Sequence, residues 1–94
     1  MRLNDFPEID AGFVEFYKRV MTRDGALDRK TKEMLAVAVA YGNGCQPCIE
    51  GHLAKARRYG LTDAEYRELV AVAELILAGG ARERFVAAEK AAGA

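Results

Sequence analysis

The sequence predicts an all-α fold, and three observations carry that expectation. Apolar residues recur at intervals of three and four in every informative stretch, as they do on helices with one buried face. No stretch alternates apolar and polar residues in the manner of a half-buried strand. Capping and breaking residues fall between the periodic stretches, where helix ends are needed.

The first helix is expected from near Pro7, since proline suits a first helical turn. Ile9, Phe13, Phe16, Tyr17, Val20 and Met21 share one face of it, and Arg23-Asp24-Gly25 ends it. Asp28 is the expected cap of a second helix, which runs through Lys32-Glu33-Met34-Leu35 into an Ala/Val run ending at Gly42. Periodicity alone would also allow a buried strand from Leu35 to Ala40. Alanine is a strong helix former and a charged helical turn leads into the run, so helix is the reading. Gly42-Asn43-Gly44 breaks the chain. A third helix follows from Cys45 to Tyr59, with Pro47 in its first turn and Gly60 as its stop. Lys55, Arg57 and Arg58 suit the negative end of its dipole. Thr62-Asp63-Ala64-Glu65 is a capping box, opening a fourth helix to about Ala78. Gly79-Gly80 is expected to break that helix. A last segment, Arg82 to Ala92, puts Phe85, Ala88 and Ala92 on one face and points Glu83 and Lys90 to solvent.

With 94 residues the chain is expected to be a single domain spanning residues 1–94. Fourteen basic and fourteen acidic side chains cancel. That argues against a nucleic-acid binder working through bulk positive charge and against a polybasic membrane anchor. An apolar fraction of 51% with 30% charged residues is that of a globular protein. The longest uncharged stretch, Met34 to Ile49, contains Gly42, Asn43, Gly44, Gln46 and Pro47 and is no membrane span. The opening Met-Arg-Leu-Asn-Asp-Phe-Pro-Glu shows no apolar signal region, so a cytoplasmic location is expected. Much of the apolar count is alanine, there is no Trp, and the two Cys lie three apart. The core is therefore small, and self-association is the expected supplement.

The segment Cys45-Gln46-Pro47-Cys48-Ile49-Glu50-Gly51-His52 holds the chemistry. Two cysteines three apart in a first helical turn should bring their Cα atoms to ~5–6 Å, within disulfide range. A helix N-terminus favours thiolate over thiol. His52 lies four residues beyond Cys48 on the same face, where it can take a proton from that thiol or pair with the thiolate. Three readings stay open on these residues: two small core cysteines, a zinc site with Glu33 as fourth ligand, and a dithiol redox site. A thioredoxin-type reading needs a βαβ setting, which the pattern lacks. Tyr41, just before the break, could turn its hydroxyl to the site; a core tyrosine with its hydroxyl at the edge is the simpler reading.

Glu33, twelve residues before Cys45, changes the weighing. Glu33 followed by Cys45-x-x-Cys48-x-x-x-His52 resembles the signature of the alkylhydroperoxidase D-like branch of the carboxymuconolactone decarboxylase family. The surroundings agree: Lys32-Glu33-Met34-Leu35-Ala36-Val37-Ala38-Val39-Ala40 before the break, and Gly60-Leu61-Thr62-Asp63-Ala64-Glu65 after the motif helix. The resemblance runs from about Phe6 to Phe85.

The resemblance implies a bundle of about five to six helices, holding one copy of a core that longer members carry twice. It implies a thiol-dependent peroxidase, with Cys48 as the attacking thiol, Cys45 as the resolving one, and His52 and Glu33 as a proton relay. The expected substrate is a hydroperoxide. The expected reductant is an external dithiol, such as a lipoyl-bearing or thioredoxin-like protein. No cofactor or metal is expected. A homo-oligomer is expected, a hexamer first and a trimer next. A general disulfide reductase, and a non-enzymatic helical oligomer with structural or zinc-binding thiols, are the alternatives. One departure stands out: peroxidase members carry a His between the cysteines, where this chain has Gln46 and Pro47.

Overall fold

Among the described residues there are four helices: α1 (Pro7–Met21), α2 (Arg29–Asn43), α3 (Gln46–Arg58) and α4 (Asp63–Ala91). The structure, a computed structural model, describes residues 5–93. Residues 1–4, which open the segment read above for a secretion signal, lie outside them. Among the described residues no helix is long and apolar enough to cross a membrane.

Each helix start follows from a local device. Pro7 opens α1 from the first turn, where its missing N–H removes no hydrogen bond. The Asp28 carboxylate caps α2 by accepting from the Thr31 N–H at 2.7 Å. Gly44 ends α2 in the left-handed region at φ 72°, and the Gly44 and Cys45 N–H groups both return to the Ala40 carbonyl. Cys45 is the N-cap of α3. Gly60, at φ 98°, turns the chain out of α3, and the Leu61 N–H reaches back to the Ala56 carbonyl at 3.0 Å. The capping box at Thr62 and Glu65 forms in both directions, at 3.1 and 2.9 Å.

The expected count of five to six helices is corrected to four, because α4 runs straight through Gly79-Gly80. Each mid-helix glycine costs only ~1 kcal/mol relative to alanine. The flanking sequence contains no proline and is rich in Ala, Leu, Glu and Arg, so the helical register outweighs two such penalties.

The packing centres on α2. It makes an antiparallel hairpin with α3, the closest pairing in the fold, and receives α1 and α4 more lightly. Among the described residues, Val37 and Ala40 of α2, Ala56 of α3, Leu61 of the turn that follows it, and Leu69 of α4 form the buried apolar core. Lys30 ties the first turn of α2 to that of α4 through both oxygens of Glu65, at 2.9 and 3.0 Å. Lys32 donates to the Val20 and Arg23 carbonyls at 2.7 and 2.8 Å and so fixes the end of α1.

The apolar face expected on α1 exists but is not covered: Ile9, Phe13, Phe16 and Val20 all face outward. The far part of α4 is similar, with Leu75, Ile76, Phe85 and Val86 exposed.

The cap at α4 makes a specific expectation. Thr62→Ala should lower stability by ~1 kcal/mol, the usual cost of a lost N-cap side chain. The Glu65 carboxyl is held below its ordinary value of 4.5 by the Thr62 N–H first and the Lys30 ammonium second. Its folded-state value is the lower one, so its contribution is complete above pH 4.5 and is lost as the pH falls through that lower value. Thermal melts of the native chain and Glu65→Gln from pH 7 to pH 3 should therefore converge at the acid end. Parallel curves would contradict this account.

Candidate functional site

The turn between α2 and α3 builds the site. Gly44 permits the left-handed residue that reverses the chain, and the Asn43 side chain accepts from the Cys45 N–H at 3.0 Å, fixing where α3 begins. Pro47 sits in the first turn, where an N–H would have no helical partner. The reversal lays α3 back along α2, so a residue early in α2 meets one in the second turn of α3.

Cys45 and Cys48 are joined by a disulfide, with Cα atoms 5.2 Å apart, as the helical spacing predicts. Both residues are half-buried. The bond spans the N-cap and first turn of α3, at the positive end of its dipole. His52 follows Cys48 by one turn on the same face.

The Glu33 carboxylate meets the imidazole across the hairpin, Oε2 to Nδ1, at 2.6 Å. Glu33 is 2% exposed, and it is the only charged side chain among the described residues that is buried. A carboxylate is almost never fully buried unless paired. Here the pair is charge-assisted if His52 is protonated, and otherwise the imidazole N–H donates to the carboxylate. Nδ1 facing Glu33 leaves Nε2 for other partners. The four residues singled out in the sequence thus lie within one helical hairpin.

Two neighbours were not foreseen as part of this region. Lys55, one turn past His52, donates from Nζ to the Tyr17 hydroxyl of α1 at 2.7 Å and lies 5.2 Å from the centre of that ring. The Tyr17 ring is 6.2 Å from the imidazole, tilted by 38°. The signal was present, because Cys48, His52 and Lys55 follow the four-then-three spacing of one helical face. Tyr41 donates to or accepts from the Tyr66 hydroxyl of α4, and this bond holds its own hydroxyl above its ordinary titration value. Its hydroxyl is thus engaged with α4.

Among the described residues no group of three or more His, Cys, Asp or Glu side chains is placed to hold a metal ion.

The model of the carboxymuconolactone decarboxylase family matches residues 7–92. The chain belongs to that family. A relative within reach is uncharacterized protein 4 of the cox locus of Paracoccus denitrificans, 47% identical over 73 residues, which are 78% of this chain and 65% of that one. An uncharacterized protein of Cupriavidus necator is 35% identical over 54 residues, 57% of this chain and 48% of the relative. The crystal structure of the alkylhydroperoxidase AhpD core from Rhodospirillum rubrum superimposes with a TM-score of 0.75 at 34% identity, covering 94% of this chain and 62% of that one. The all-helical, AhpD-like fold expected from the family is thereby established. The chain spans between about half and two thirds of the length of these relatives.

Proposed function

We propose that the protein is a thiol-dependent oxidoreductase that reduces hydroperoxides through a Cys48/Cys45 dithiol–disulfide cycle, with Glu33 and His52 as the proton relay. The observation that carries this reading is the hairpin itself. It joins a disulfide at a helix N-terminus to a buried carboxylate–imidazole pair one turn away.

The chemistry runs in three steps. In the reduced protein His52 takes the Cys48 proton, and Glu33 stabilises the imidazolium that results. The Cys48 thiolate attacks the outer peroxide oxygen, the O–O bond breaks, and the alkoxide leaves as the alcohol after receiving a proton. Cys48 is now a sulfenic acid, oxidised by two electrons. Cys45 attacks that sulfur, a disulfide forms and water departs. An external dithiol then reduces the disulfide in two exchange steps, becoming a disulfide itself. Gln46 and Pro47 stand between the cysteines and neither carries protons, so proton delivery falls to His52. The same feature favours a second reading, a general disulfide reductase that runs only the exchange step.

The decisive measurement is a free-thiol titration. Two thiols per reduced chain should vanish on mild hydroperoxide and return with dithiol. Two thiols surviving peroxide but lost to a small disulfide would select the second reading. Within the cycle, Glu33→Gln and His52→Ala should move the pH profile of Cys48 alkylation to higher pH. A profile unchanged in both would remove the pair from the mechanism.

We also propose that the working unit is a homo-oligomer. The chain exposes 7234 Å², about 1,900 Å² more than a compact monomer of its mass. Its radius of gyration is 17.2 Å, against about 12 Å for a compact domain of this length.

A further inference from the structure

We propose that Lys55, held by Tyr17, is a positioning residue that keeps the Glu33–His52 pair in its proton-accepting state. The proposal rests on the reading of that pair as the base for Cys48, and it assigns work to two side chains outside the four-residue signature.

Geometry supplies the argument. Cys48, His52 and Lys55 form a single stripe on α3, and Glu33 faces that stripe from α2. The long Lys55 side chain is not free to sweep through solvent. Its ammonium donates to the Tyr17 hydroxyl and lies close to the face of that ring. Tyr17 is half-buried on a helix whose apolar residues mostly face outward, and its ring abuts His52. A lone surface lysine would forfeit rotamer entropy to be held this way, so the fixed position calls for an account.

Electrostatics supplies the role. When His52 is neutral, Glu33 is a buried carboxylate with no cation in contact, a costly state. Lys55 is the nearby fixed charge that offsets this cost. Its own proton is held more tightly than usual, first through the Tyr17 hydrogen bond and in lesser part through the Glu33 charge, against desolvation and the Arg58 charge. Around the pair, α1 contributes Tyr17, α2 contributes Glu33 itself, and α3 contributes Cys48 and Lys55, with the Arg58 charge acting on Lys55. Lys30 of α2 and Glu65 of α4 neutralise each other on the α4 side. Removing the Lys55 charge leaves the pair holding its proton more tightly, so the neutral imidazole appears only at higher pH.

The chain contains a single histidine, so the imidazole C–H resonances in an NMR titration report His52 alone. The disulfide form is used, which keeps thiol ionisation out of the curve. Lys55→Met should raise the His52 midpoint by ~0.5 pH unit or more, as expected for loss of a nearby partly screened charge. Lys55→Arg keeps the charge and should stay near the unaltered protein. Tyr17→Phe, which frees the ammonium but keeps the ring, should shift the midpoint partway. Lys55→Gln replaces Lys55→Met if thermal melts show the latter unfolded. A Lys55→Met midpoint unchanged within ~0.2 unit, or one matched by Lys55→Arg, would overturn the proposal. The relay reading fails separately, if His52→Ala leaves the alkylation profile of Cys48 unmoved.

Discussion

Cys48→Ser abolishes peroxide-driven oxidation, while Cys45→Ser permits one turnover and then stops. This is the expected result with the largest effect on activity, because a hydroxyl in place of the attacking thiol cannot form a sulfenic acid at all. The two cysteines differ in place as well as in the roles proposed for them. Cys48 sits inside the first turn of α3, one turn before His52, and Cys45 is the N-cap. In Cys45→Ser the Cys48 sulfenic acid has no partner thiol in the chain, since these are the only two cysteines. It should persist long enough to be trapped by a dione reagent and seen by mass spectrometry, and excess peroxide should carry it on to the sulfinic acid. Peroxide consumption should fall to one fast equivalent per chain in Cys45→Ser, followed under excess peroxide by a slower second equivalent as the sulfinic acid forms, and to none in Cys48→Ser. The reverse pattern, with the trapped species on Cys45, would exchange the two roles. Equal activity in both variants would end the dithiol reading.

The second large effect concerns assembly. The chain at micromolar concentration should scatter light as a multiple of 10.3 kDa, with a hexamer first and a trimer next. The occupant proposed for its bare faces is a second copy. The groove between α2 and α4 is lined by Met34, Leu35, Ala38, Leu69 and Val72 and is apolar along its floor. Ile9, Phe13, Phe16 and Val20 form a matching stripe on α1. The surplus exposed surface exceeds the ~800 Å² that each partner gives to a standard interface. Burial on that scale stabilises through mass action, so the melting temperature should rise with protein concentration. Phe16→Glu, on a side chain 65% exposed in the chain alone, should shift the population toward smaller species. A monodisperse monomer with a concentration-independent melt would remove the assembly.

Much of this architecture was legible because its signals are local. Asp28, Gly44, Gly60 and the Thr62/Glu65 box each act within a few residues, and all do in the structure what their chemistry dictates. Gly79-Gly80 misled for the same reason, as a local penalty that the whole helix outweighs. The site was legible only in part. The spacing of Cys45, Cys48 and His52 gives a shared face, but nothing local tells that Glu33 is buried, since glutamate at an early helical turn is ordinarily solvated. Its place beside His52 came from the resemblance, and the reversal at Gly44 supplies the physical cause. Tyr17 was read as one of several face residues of α1. Its link to Lys55 spans 38 positions, beyond the reach of any periodicity.

The uneven seating of α4 sets an order of events when the chain folds. The hairpin of α2 and α3 brings together residues near in sequence, and such contacts close quickly. The first part of α4 follows through Leu69, Glu65 and Tyr66, which find partners on α2. Beyond Gly79-Gly80 the helix meets little of its own chain, and an isolated segment of that length is marginal in water. In the proposed homo-oligomer its ordering would wait on a collision with a second copy, and the last step of folding would be second order. At low protein concentration such an assembly would complete the α2–α3 hairpin before the end of α4 settles.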